Sequence, residues 1–225
     1  MVLTIVIEIS LLLYTVWRYK LNKLSRLVSA MVLLLAVFQL AEFRVCRGDS
    51  GLVQWSHLGY VAITLLPPLG IHIIKTIQGK KDSVVVYASY TTAAAFITYF
   101  ALTANSLGTH ACLGNYVIFQ INSKLTWVYA VYYYGWVITG LLTSLYYAER
   151  SKAVMQKQAM YCFVAGYCAF LLPTTTVNLI DRATLDGIPS IMCGFAVLFA
   201  VITVIWVMPR VGTLKRTRIN KKPNP

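Results

Sequence analysis

Apolar residues run along this chain in seven stretches, at 1–17, 27–43, 55–74, 84–104, 125–147, 159–180 and 188–208. A bilayer core takes roughly 20 residues of helix, so each stretch is a candidate span. The first is the shortest and contains Glu8, which leaves six full spans with a partly inserted first helix open beside seven. The segments between the stretches are too short to form a second domain. The pattern therefore predicts an all-α integral membrane bundle of seven transmembrane helices over 1–208, followed by a short tail at 209–225. The first stretch lacks a charged n-region and a small-residue cleavage site, so it reads as a retained helix rather than a signal peptide.

Polar residues inside these runs need partners, because a charge at mid-helix costs on the order of 2.5–3.5 kcal/mol on insertion scales. The third run, WSHLGYVAITLLPPLGIHIIK from Trp55 to Lys75, carries many of them. Its His57, Val61, Thr64, Pro68 and His72 recur at offsets of three or four, which places them on one helix face. Pro67 and Pro68 remove two backbone donors, which lipid tolerates only where neighbouring helices or water re-satisfy the freed carbonyls. This segment should sit inside the bundle and bend there, a hinge. Gln39, Glu42 and Cys46 share a face near the outer end of the second stretch. On the sixth, Tyr167, Leu171, Thr174, Asn178 and Asp181 do the same beside Pro173, a second predicted hinge. Glu8 lies about 10 Å into the first helix, where it is protonated, snorkels outward or faces a polar group on another helix. Trp127, Tyr129, Tyr132, Tyr133, Tyr134 and Trp136 crowd the outer half of the fifth stretch. Some suit the headgroup level, and because they surround the helix others should line the bundle. Two readings account for the stripes: interhelical glue at about 0.6 kcal/mol per contact, or a ligand pocket open to the outside.

Composition agrees with a membrane chain, with 58% hydrophobic and 12% charged residues among 225 and a mean hydropathy of +0.67. The net charge of +13 gains its meaning from where the cations fall. Arg18, Lys20, Lys23 and Arg26 follow the first stretch, Lys75, Lys80 and Lys81 the third, and Arg150, Lys152 and Lys157 the fifth. Arg210, Lys215, Arg216, Arg218, Lys221 and Lys222 lie in the tail, leaving only Arg44, Arg47, Lys124 and Arg182 for the other side. The positive-inside rule then puts the N-terminus outside and the C-terminus in the cytoplasm of a multi-pass cell-membrane protein. Glu8, Glu42, Asp49, Asp181 and Asp186 fall on the outer half. Clustered cations between apolar runs make nucleic acid an unexpected partner and membrane lipid an expected one, with the basic tail read as a solvated stop-transfer segment attracted to anionic lipid or as a docking peptide.

Cys46 and Cys112 fall in the two outer loops, where a disulfide can form; Cys193, near the outer end of the seventh stretch, competes for either. Cys162 and Cys168 read as small packing residues. No pair has metal-ligand spacing, so neither a metal nor a cofactor is expected. With no Gly-rich phosphate loop, serine elbow or paired intramembrane aspartates, and no lysine in the seventh stretch for a retinal Schiff base, an enzyme is not expected either.

Several short motifs carry a resemblance: FQLAEF at 38–43, Trp55 and Gly59-Tyr60 followed by Leu66-Pro67-Pro68, Val131-Tyr132-Tyr133-Tyr134, the basic loop 150–158, and Pro173 with Asn178. In this order they resemble the seven-helix sensory region at the N-terminus of some bacterial histidine kinases, over roughly the second to seventh stretches. The chain departs from that pattern after Met208, where a short tail stands in place of a kinase or cyclase domain. The resemblance implies a receptor-like sensory module whose output passes through a separate partner at the cytoplasmic loops or tail. The residues supply its expected site: Glu42, His57, Thr64, Asn178 and Asp181 around an outward pocket for a small polar or amphiphilic molecule, with hinges at Pro67, Pro68 and Pro173. Two alternatives remain open at this point, a small transporter or ion-coupled carrier, and a structural or assembly subunit of a membrane complex.

Overall fold

The computed structural model describes residues 2–48, 52–80, 83–102, 107–113, 116–121, 123–180 and 188–215. Its helices are α1 (Val2–Arg18), α2 (Lys23–Arg47), α3 (Leu52–Thr64), α4 (Leu66–Ile77), α5 (Val84–Leu102), α6 (Ser123–Arg150), α7 (Val154–Ile180), α8 (Ile188–Ile202) and α9 (Met208–Val211), with a π-helical turn at Thr203–Val207 between the last two. Among the described residues, five segments are long and apolar enough to cross a membrane: Lys23–Arg47, Gln54–Ile77, Val84–Leu102, Val154–Val177 and Ile191–Val211.

Local chemistry sets several boundaries. Asn22 caps α2, its side chain accepting the Ser25 N–H at 2.9 Å, and Gly48 ends the helix in the left-handed region at φ 74°. The double proline does more than bend its helix. α3 stops at Thr64 and α4 starts at Leu66, so Pro67 and Pro68 occupy the first turn of a new helix, where a missing N–H is least costly. α7, by contrast, runs unbroken through Pro173. There the hydroxyls of Thr174, Thr175 and Thr176 bond back to the carbonyls of Phe170, Leu171 and Leu172 at 2.7–2.8 Å.

α2 is the hub: it packs on α1, α3, α4 and α8, while α7 bridges α6 and α8 and α4 closes the ring against α6. α5 leans on α3, α4 and α6 from outside and is largely exposed. Close approach of α4, α6 and α7 depends on glycine. Tyr167 of α7 is buried with its hydroxyl between Gly70 and Gly140, where a methyl on Gly70 would come within 2.5 Å of that hydroxyl and one on Gly140 within 2.9 Å of its ring carbon.

Two features add to the all-α expectation. Residues 107–121, which carry no apolar stretch, contain an antiparallel hairpin, β1 (Leu107–Leu113) with β2 (Tyr116–Ile121), pairing His110 with Phe119 and Cys112 with Val117. The tail is not a free peptide from 209 onward: Met208–Val211 is helical, and the next residues fold back on the loop after α1. Lys20 N–H donates to the Thr213 carbonyl at 2.8 Å, Lys215 N–H to the Arg18 carbonyl at 3.1 Å, and Asn22 Nδ2 to Thr213 Oγ1 at 3.1 Å.

Candidate functional site: a covered polar core

The polar face of α1 is turned inward. Glu8, Leu11 and Thr15 are buried, while Leu3, Val6, Leu13 and Trp17 face out, an arrangement that an apolar surround selects. Thr4 Oγ1 donates to Gln39 Oε1 of α2 at 3.1 Å. One turn along, the Glu8 side chain is 0% exposed, and neither carboxyl oxygen has a hydrogen-bond partner among the described residues. Glu42 of α2 is 1% exposed. Cys193 of α8 and Tyr129 and Tyr133 of α6 are buried as well.

Tyr129 extends the cluster to α3. Thr64 Oγ1 donates to the Tyr60 carbonyl at 2.6 Å, so at 3.0 Å it accepts the Tyr129 hydroxyl. Tyr132 donates to the Thr64 carbonyl at 2.7 Å. That carbonyl is the one an unbroken helix would pair with the N–H of residue 68, and Pro68 has none. The side chain of α6 thus supplies the bond that the proline removes. Just past the break, Leu35, Pro67, Gly70, Tyr133, Tyr167 and Met192 are among the residues lining a cavity of ≈ 40 Å³, room for a few waters.

The outer end is covered. β2 packs on α2, α6 and α8, and β1 on α3. Cys46, at the end of α2, is bonded to Cys112 of β1, with Cα atoms 5.7 Å apart, while Cys193 is a free, buried thiol.

The five expected ligand residues fare differently. Glu42 and Thr64 are both buried, and Thr64 is bonded to Tyr129. They are sealed rather than lining an open mouth. His57 is half-buried on α3, with Nε2 lacking a partner among the described residues. Asn178 lies near the end of α7, but its side chain and all of Asp181 lie outside the described residues. His72 is apart from this cluster, its Nδ1 3.2 Å from the Tyr90 hydroxyl of α5. Cys193 was expected only as a competing disulfide partner, and Tyr129 and Tyr132 only as aromatics lining the bundle, not as partners of Thr64. A freed carbonyl at Thr64 was legible from Pro68, but its donor sits 68 residues away and no local pattern points to it. The hairpin did have a signal, Gly114-Asn115 between two β-prone runs.

Buried carboxyls, a carboxamide and phenols can hold a small ligand by hydrogen bonds or attract a cation. Among the described residues, no three His, Cys, Asp or Glu side chains are placed to hold a metal ion. No protein-family model, curated protein or solved structure matches this chain.

Proposed function

We propose that this chain is a receptor-like sensory module that crosses the membrane seven times, with α1 and α6 added to the five apolar segments and the N-terminus outside. α1 is 17 residues long, and its exposed apolar face supports a lipid surround. α6, at 28 residues, has length to spare, and its outer Tyr and Trp suit the headgroup level. The disulfide supports the orientation independently of charge. It ties the ends of the bundle remote from Lys75, Arg150 and Lys215, on the side where an oxidising compartment is expected.

The observation that carries the sensory reading is the break at Leu65. There the backbone ladder is interrupted, and the Thr64 carbonyl at the end of α3 is held by Tyr132 of α6 where Pro68 offers no N–H. A ligand that engages Glu42 and the Thr64–Tyr129 pair competes for the groups that hold this joint, and thereby favours one of two α4 positions. Such a shift needs a difference in affinity between the two states. α4 ends among inner contacts that can report it: Lys75 Nζ donates to the Tyr147 hydroxyl at 2.9 Å, Gln156 Nε2 to the Ile77 carbonyl at 3.2 Å, and Ser151 Oγ to Gln78 Oε1 at 3.1 Å. A separate partner at this face would receive the signal.

The test is thermal unfolding of the detergent-purified chain against small metabolites and lipids. A ligand at 100 times its Kd raises stability by about 2.7 kcal/mol. Glu42→Gln and Thr64→Val should abolish the shift, and Pro68→Ala should leave binding intact while uncoupling the inner face. Silence across the library, with both site variants merely less stable, would reduce the polar core to helix-packing glue.

A further inference from the structure

A second cavity lies at the opposite, basic end of the bundle, where the loop before α2, the end of α4, the start of α7 and α9 meet. It is an open cleft of ≈ 370 Å³ lined by Asn22, Lys23, Thr76, Gln156 and Arg210 together with Leu24, Ile77 and Val211. This volume falls in the range of small-molecule sites, roughly 300–1,000 Å³. Its lining holds two cations from different helices, the carboxamides of Asn22 and Gln156, and no acid; the Thr76 hydroxyl is already given to the His72 carbonyl. Arg210 is half-buried and already positioned. Nε donates to Gln158 Oε1 at 3.3 Å and Nη1 to the Trp206 carbonyl, and the remaining N–H groups of the guanidinium have no partner among the described residues. Gln156 is likewise held by its bond to the Ile77 carbonyl, and Asn22 is fixed as the α2 cap. Such a fork beside a lysine matches the tetrahedral oxygens of a phosphate.

We propose that this cavity binds an anionic phosphate group, supplied by a phospholipid headgroup at the membrane surface or by a free phosphate. The wall of the cavity includes the element that carries the backbone clasp between 18–20 and 213–215, so occupancy braces α9 against α2 and α7. This site is separate from the sensory core, and its failure would leave the core untouched.

Binding is measured with the full chain in mixed micelles carrying phosphatidylglycerol, with phosphatidylcholine micelles as reference and inorganic phosphate as the soluble probe. Arg210→Gln and Lys23→Gln should each weaken binding about tenfold, the scale of one charge-assisted hydrogen bond. Lys152→Gln, an exposed cation outside the cavity, should change it by less than about twofold. Saturable phosphatidylglycerol binding with this pattern assigns the site to a headgroup, and the same pattern with inorganic phosphate alone assigns it to a soluble ligand. Absence of saturable binding by either probe, or an equal loss in Lys152→Gln, overturns the proposal. If Arg210→Gln does not fold, Lys23→Gln, an exposed position, carries the same comparison.

Discussion

Two residues show how differently this bundle treats its buried polar groups. The Thr64 carbonyl loses a backbone donor to Pro68 and regains one from Tyr132, so it is satisfied across helices. Tyr132→Phe keeps the ring and removes only that donor, leaving a buried carbonyl whose desolvation costs about 1–3 kcal/mol. The expected outcome is a lower unfolding temperature in detergent, with no further loss when Pro68→Ala restores the N–H. Glu8 is the opposite case. Its carboxyl is fully covered and has no hydrogen-bond partner among the described residues, so it contributes little to holding α1 in place. Glu8→Gln should therefore be neutral or stabilising, by up to about 1–2 kcal/mol, as at sites where function is kept at the expense of stability. A large loss of stability in the same unfolding assay would show that the carboxyl has a structural partner.

At the level of elements, the hairpin and its disulfide form one unit. The bond between Cys46 and Cys112 closes a chain segment with a sequence separation of 66 and fixes β1 over the outer end of α3. Cys112→Ser should cost about 2–4 kcal/mol and should raise amide exchange in 107–121 more than in α2 or α7, measured by mass spectrometry. Helices were the legible part of this molecule. Each of the seven apolar runs contains or adjoins a helix, because backbone satisfaction in lipid leaves little other choice. The double proline was legible as a disruption, but not as a helix start, since that depended on α6 offering Tyr132. The α2 stripe was legible as one face near the outer end, and Gln39 and Glu42 on it are both buried rather than open to the outside. The partner of Gln39, Thr4, comes from α1, which only the packing brings alongside. The hairpin was missed because its runs are short and stand between stretches whose helical period dominated the reading.

For the whole molecule, orientation is the most exposed claim. The disulfide-tied hairpin and the basic ends lie at opposite poles. A fluorescent protein fused after residue 215 should therefore be bright and an alkaline phosphatase at the same point inactive, while an N-terminal tag should be open to an impermeant reagent on intact cells. The reverse result would invert the bundle and place the disulfide on the reducing side. Fusion after Thr213–Lys215 must respect the clasp with Arg18–Lys20, which holds α9 against the loop after α1.

That clasp and the burial of Glu8 carry a consequence for how the chain is made. α1 is synthesised before α8, which packs on it together with α2, and before residues 213–215, which tie the loop that follows it. For most of translation the first helix thus has a polar side without its final neighbour. Until α8 arrives, the Glu8 side of α1 should be more open than in the finished bundle. Chains that stop early should be left with an incompletely housed α1, a mark by which membrane proteases could sort finished molecules from unfinished ones.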